Sequence, residues 1–160
     1  PYFDVNDTEH QPYDRDSFTK RLKTKQAVRR IPIHPTLKQL GFIDWVDSAP
    51  AGRLFPEAKS GPGKKPSDVY SKRFASNLKA AGIWKHRRLV FHSFRNNFND
   101  AMRAANVPVE IRESINGWSN RNAMDARYGQ GHSVTRLFDE ISKVSYPGLK
   151  TEKLLNTKAT

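Results

Sequence analysis

A chain of 160 residues with 28 Lys and Arg against 16 Asp and Glu carries a formal charge of +12, is long enough to bury a core, and favours a polyanionic partner such as nucleic acid, whose condensed counterions it would release. It contains no cysteine, which excludes disulfides, thiolate zinc sites and cysteine nucleophiles. No apolar run approaches the length of a membrane span, and the five histidines (His10, His34, His86, His92, His132) show no HExxH or HxH spacing, so a soluble globular domain with no metal and no membrane partner is expected.

The chain begins with Pro1, inside a stretch that reads as strand (Tyr2 to Val5), and is expected to be a fragment of something longer. Asn6 to Asp16 is polar, contains Pro12 and reads as a loop. Ser17 to Leu22 and Val28 to Ile33 read as the two strands of a hairpin, joined by the basic link Lys23-Thr24-Lys25-Gln26-Ala27. Pro32 ends the second strand, because proline cannot donate to a central ladder. His34-Pro35-Thr36 starts a helix with Pro near its first turn, and Leu37, Leu40, Ile43 (or Phe42) and Val46 form a stripe interrupted by Gly41. Arg53 to Pro56 reads as a short strand and Lys59 to Pro66 as a Gly/Pro/Lys loop.

Ser67-Asp68 caps the next helix, Tyr70, Phe74, Leu78 and Ala81 mark its inner face, and Gly82 stops it. Beyond the dense basic cluster Lys85-His86-Arg87-Arg88, a helix is expected from about Ser93 to Ala105, with Phe94, Phe98, Ala101, Met102 and Ala105 on one face. Pro108 opens another with Ile111 and Ile115 inward, and a short one should run from Asn122 to Tyr128. The last, Val134 to Val144, is amphipathic through Val134, Leu137, Phe138, Ile141 and Val144. The fold class that follows is α+β, mainly α, with a small antiparallel sheet near the N-terminal side. One domain is expected over residues 1–149 and a mobile basic tail over residues 150–160.

The chemistry a basic protein performs on nucleic acid is phosphoryl transfer, which needs stabilised charge on the non-bridging oxygens and placed proton donors and acceptors. His92 and Arg95 lie three apart and share one side of a helix start. A guanidinium fork bonds two phosphate oxygens at once, and an imidazole gives and takes a proton near neutral pH. An isolated HxxR more often supplies a helix cap and a surface ion pair. Tyr128, among five tyrosines, needs activation before its hydroxyl can attack, and most tyrosines simply pack. Lys23 at a hairpin tip would ordinarily be solvated; near a phosphate it can protonate a leaving oxygen, and on bare chemistry Lys20, Arg21 and Lys25 serve as well. Trp118, between Gly117 and Ser119, offers a donor-only indole N–H.

Order and spacing join these residues. Lys23 opens a Lys-Thr turn, His92-Ser93-Phe94-Arg95 follows, Trp118 comes 23 residues after Arg95, and Tyr128 ten after Trp118. With the strand exit from Arg29 to Pro35 and the ending Val144-Ser145-Tyr146-Pro147-Gly148-Leu149, this pattern resembles the catalytic core of the tyrosine recombinases, the phage integrase family, over nearly the whole chain. The resemblance implies the fold of a DNA breaking–rejoining enzyme. It implies that Tyr128 attacks the scissile phosphate to form a 3′-phosphotyrosine link, Arg95 stabilises the transition-state charge, His92 assists proton transfer and holds the phosphate, and Lys23 is the general acid for the 5′ oxygen. Trp118 would stand where many members have a second histidine, keeping a contact without acid–base function. Lys25, Arg29, Lys85, Arg87, Arg88 and Arg121 would contact double-stranded DNA.

The resemblance further implies no metal or nucleotide cofactor, a homotetramer of the parent on DNA, and work in the cytoplasm, at the nucleoid of a bacterial or phage-infected cell. The family's further arginine, in an Arg-x-x-Glu helix ahead of the sheet, has no counterpart, since only Arg15 and Arg21 precede Lys23 and neither has that context. It and a DNA-clamping N-terminal domain are expected ahead of Pro1, leaving this fragment inactive or nearly so. Two other readings are a non-catalytic DNA- or RNA-binding module, with a helix-turn-helix between Ser93 and Ile115, and a type IB topoisomerase relative sharing the tyrosine chemistry.

Overall fold

The computed structural model of the chain describes residues 1–6, 27–52, 54–58, 67–85, 88–118 and 131–152. Among these residues it has the expected α+β, mainly α, architecture: one two-stranded antiparallel sheet and six helices. The chain divides into two compact units, one built from Pro1–Asp47 and Ala101–Thr160, the other from Ser48–Asp100.

In the first unit, β1 (Tyr2–Val5) pairs with β2 (Arg29–Pro32), with Tyr2 opposite Pro32 and Val5 opposite Arg29. The described partner of β2 is thus the N-terminal strand; Ser17 to Leu22, expected as the other arm of a hairpin, lies outside the described residues. Pro32 ends the ladder as expected, and the Ile33 amide continues it only to the Pro1 carbonyl. Side chains of β2 alternate between faces: Arg30 lies over the Tyr2 ring at 5.1 Å, while Arg29 turns the other way, towards a helix end.

His34 caps α1 (Pro35–Gln39), with Pro35 where its missing N–H costs nothing. The His34 Nδ1 accepts from the Thr36 amide at 3.1 Å, so the proton sits on Nε2, which donates to the Val144 carbonyl at 3.0 Å. One ring therefore starts the helix and ties it to the segment after the last helix. Gly41, at φ +74°, breaks the expected long stripe into α1 and α2 (Phe42–Ser48). Phe42 meets Phe3 of β1 edge-on, with ring centroids 5.6 Å apart.

The core of this unit comes from its helices. Ile33, Met102, Val107, Ile111, Ile115, Leu137, Ile141 and Val144 are all buried. Met102 belongs to α4 (Ser93–Ala104), Ile111 and Ile115 to α5 (Val109–Asn116), and Leu137 and Ile141 to α6 (Val134–Ile141); β2 packs on α5 and α6. α6 stops three residues short of Val144, where the Ser142 hydroxyl folds back to donate to the Phe138 carbonyl; Phe138, expected on the apolar face, is exposed.

Glu140 is buried in the first unit, and its carboxylate takes the Lys143 ammonium at 2.8 Å and Arg136 at 3.4 Å. The hydrogen bond from Lys143 holds this carboxyl below its ordinary range against the opposing effect of burial. A carboxyl depressed in the folded state adds stability above its unfolded pKa and loses it as pH falls through the folded value. The melting-temperature advantage of wild type over Glu140→Gln is therefore largest at neutral pH and closes as pH drops below about 4. An advantage that does not change with pH would contradict this ion-pair account.

The second unit contains α3 (Ser67–Ala80) and the first turns of α4. α3 ends as expected at Gly82, φ +69°, where the Ile83 amide reaches back to the Leu78 carbonyl. Leu54 to Pro56, part of an expected strand, instead forms bend and turn, closed by the Ala58 amide on the Phe55 carbonyl; Arg53 and the Lys59–Pro66 loop lie outside the described residues. Pro56 has no N–H to give a ladder, and Phe55 packs edge-on against Tyr70. No helix among the described residues is long and apolar enough to cross a membrane.

Candidate functional site

Local hydrogen bonds decide where His92 and Arg95 stand. The Lys85 carbonyl accepts from the Arg88 and Leu89 amides, which brings Lys85 and Arg88 close together. Val90 and Ser93 then bond each other twice: the Ser93 amide donates to the Val90 carbonyl at 2.8 Å, and the Val90 amide donates to the Ser93 hydroxyl at 3.1 Å. This is half of a capping box, and it sets the register in which α4 begins. Arg95 follows on the first turn, its amide on the His92 carbonyl at 3.0 Å. Ser93→Ala removes the acceptor and should cost about 1 kcal/mol of stability by chemical denaturation; no change would show that the hydroxyl does not set the helix start.

Phe94, expected on the apolar face of this helix, is exposed, yet it is not solitary. Its ring lies 5.6 Å from Phe91 and 5.1 Å from Phe74 of α3, so the three aromatics brace the start of α4 on α3. His92 is exposed and Arg95 half-buried. The first turn of α4 holds no acidic residue, although the positive end of a helix favours one. Helix dipole, Arg95, and Lys85 and Arg88 just upstream are therefore all of one sign. Further along the same helix, Asn99 is buried, and its Oδ1 has no hydrogen-bond partner among the described residues.

Trp118 stands in the first unit. α5 closes with Gly117 at φ +67° and the Trp118 amide on the Glu113 carbonyl at 3.0 Å, a Schellman ending that explains the glycine before the tryptophan. Arg29, expected to face DNA, has its guanidinium on protein carbonyls: Nε donates to Ile115 at 2.9 Å and Nη1 to Ala27 at 2.7 Å. Nothing local in the sequence separates Arg29 from its neighbour Arg30; only the distant helix end does.

The structure thus brings His92 and Arg95 together on one turn, with Lys85 and Arg88 shortly before them, and places Trp118 beside the Arg29 brace. Lys23, Lys25, Arg87, Arg121 and Tyr128 lie outside the described residues. Of the other tyrosines, Tyr70 donates to Glu57 at 2.9 Å, and burial pushes both Tyr70 and Tyr146 upward, the wrong direction for a nucleophile. Among the described residues, no group of three or more His, Cys, Asp or Glu is placed to hold a metal ion. Comparison with protein-family models, with curated proteins and with solved structures finds no match to this chain.

Proposed function

We propose that the chain is the C-terminal catalytic portion of a tyrosine site-specific recombinase of phage-integrase type, which cuts, exchanges and rejoins strands of double-stranded DNA. The carrying observation is the start of α4. Arg95 stands on the first turn of α4, which holds no acidic residue, with His92 immediately before the helix and Lys85 and Arg88 upstream, so the dipole, the guanidinium fork and the neighbouring cations all favour a phosphate there.

In the proposed reaction the Tyr128 Oη attacks phosphorus. The bond from phosphorus to the 5′ oxygen breaks, its electron pair leaves on that oxygen, and Lys23 supplies the proton. Arg95 stabilises the added charge on the non-bridging oxygens, His92 assists proton transfer, and Trp118 donates its indole N–H to the phosphate. Rejoining is the same path reversed with a new 5′ hydroxyl. The phosphotyrosine conserves the diester energy, so neither metal nor nucleotide is required. A further arginine ahead of the sheet completes the charge-stabilising set, and the parent acts as a tetramer on DNA, at the nucleoid.

The test incubates the full-length protein with DNA nicked beside the cleavage position, so that the released fragment diffuses away. A covalent protein–DNA complex is expected, unaffected by chelator. Binding with no covalent complex on any nicked substrate would mean a DNA-binding module. Relaxation of supercoils with no sequence preference would mean a topoisomerase.

A further inference from the structure

Arg29 links two places far apart in sequence. Its Nε bonds the carbonyl of Ile115 in the last turn of α5, and its Nη1 bonds the carbonyl of Ala27. Ala27 is the first described residue after the segment that carries Lys23 and Lys25. The fit at the helix end is close. A Cβ built on Gly117 would lie 2.7 Å from Nη1 and 3.0 Å from Cζ, so the guanidinium rests against bare backbone and a side chain there would have to displace it. Gly117 is thus required twice, for its left-handed φ of +67° and for this approach. The cation also sits at the negative end of α5, where it is favoured.

Trp118 follows immediately. Trp118 as a residue is 42% exposed; the Schellman turn and the guanidinium packed against Gly117 fix the backbone from which it projects. From this geometry we infer that Arg29 is a positioning residue, which holds the Gly117–Trp118 turn and the exit of the Lys23 segment in one frame rather than contacting DNA itself. The inference rests on the recombinase reading for its consequence, because Trp118 and Lys23 must then serve one phosphate. A planar fork with donors at fixed angles reaches both carbonyls; a lysine point charge does not.

The test uses Trp118 as its own reporter, in full-length protein in which every other tryptophan, Trp45 and Trp84 of this chain included, is replaced by Phe. Arg29→Ala should shift the Trp118 emission maximum and its quenching by acrylamide. It should slow covalent attachment to nicked DNA on the order of a hundredfold, the size expected when a reacting group is misplaced by an ångström. DNA affinity, measured in a Tyr128→Phe background, should change by no more than about threefold, as for the loss of a charge that touches no phosphate. Arg29→Lys, which keeps the charge but not the fork, should restore neither emission nor rate.

If Arg29→Ala does not fold, Arg29→Met, which keeps the length of the side chain but neither the fork nor the charge, provides the same test and should move Trp118 in the same way. Emission unmoved, with affinity falling in step with rate and Arg29→Lys restoring both, would make Arg29 a DNA contact and overturn the inference. If wild type forms no covalent complex at all, the recombinase reading fails, while the emission shift still decides whether Arg29 holds Trp118.

Discussion

Replacing Arg95 by Ala in the full-length protein is expected to slow covalent attachment to nicked DNA by about 10²–10³-fold, the usual loss when one preorganised donor to a developing negative charge is removed. Arg95 stands on the first turn of α4, whose register is fixed by the Val90–Ser93 bonds and whose outer aromatics pack on α3. The backbone that carries the guanidinium is therefore set before any substrate arrives, and a donor placed in advance acts mainly in the transition state. Arg95→Lys should recover only part of the rate, because an ammonium replaces the two-pronged contact with a point charge. DNA affinity should fall far less than the rate. Equal losses in affinity and rate would make Arg95 a binding residue only. Full activity in Arg95→Ala would remove the start of α4 from the site.

Met102→Ala should destabilise the fold by about 2–5 kcal/mol, the range for emptying a fully enclosed Met site. Met102 has no exposed surface, and its carbonyl accepts the Val107 amide, so it anchors both the core and the turn out of α4. Against a total stability of about 5–15 kcal/mol for an ordinary domain, that loss is large. The denaturation midpoint should fall with little change in the slope of the transition. A loss below about 1 kcal/mol would show that the site collapses around the smaller side chain.

Local chemistry made much of the fold legible. The His34-Pro35 start, the Gly82 stop and the Pro108 opening each rest on one residue's backbone preferences, and each appears where the sequence places it. The spacing of Ile111 and Ile115 marked a face that is buried. Long-range choices were not legible. That β2 takes Tyr2–Val5 as a partner depends on which strand lies near in space. Phe94 has core-like spacing, yet it is braced by Phe74 and Phe91 rather than enclosed. Arg29 reads as one more cation in a basic stretch, and its two carbonyl partners become visible only when the end of α5 is placed beside it. Glu140 likewise sits in an apolar stripe as a buried charge, made tolerable by Arg136 and Lys143 on the same helical surface.

For the site, order and spacing marked His92, Arg95, Trp118 and Tyr128 as one set, and the folded chain supplies reasons for two of its details. Ser93 within the His-x-x-Arg motif is the residue that reaches back to fix the helix start. Gly117 before Trp118 is the left-handed end of α5. Neither reason comes from the chemistry of the motif, and both explain how a short pattern acquires a fixed geometry.

The central claim is that Tyr128 becomes covalently joined to DNA. After trapping on a nicked substrate and nuclease trimming, trypsin should release the peptide from Tyr128 to Arg136, cut after Arg127 and after Arg136. Mass spectrometry should find the nucleotide phosphate on Tyr128, and Tyr128→Phe should yield no adduct. An adduct on Tyr2, Tyr13, Tyr70 or Tyr146, or one that survives Tyr128→Phe, would contradict the account.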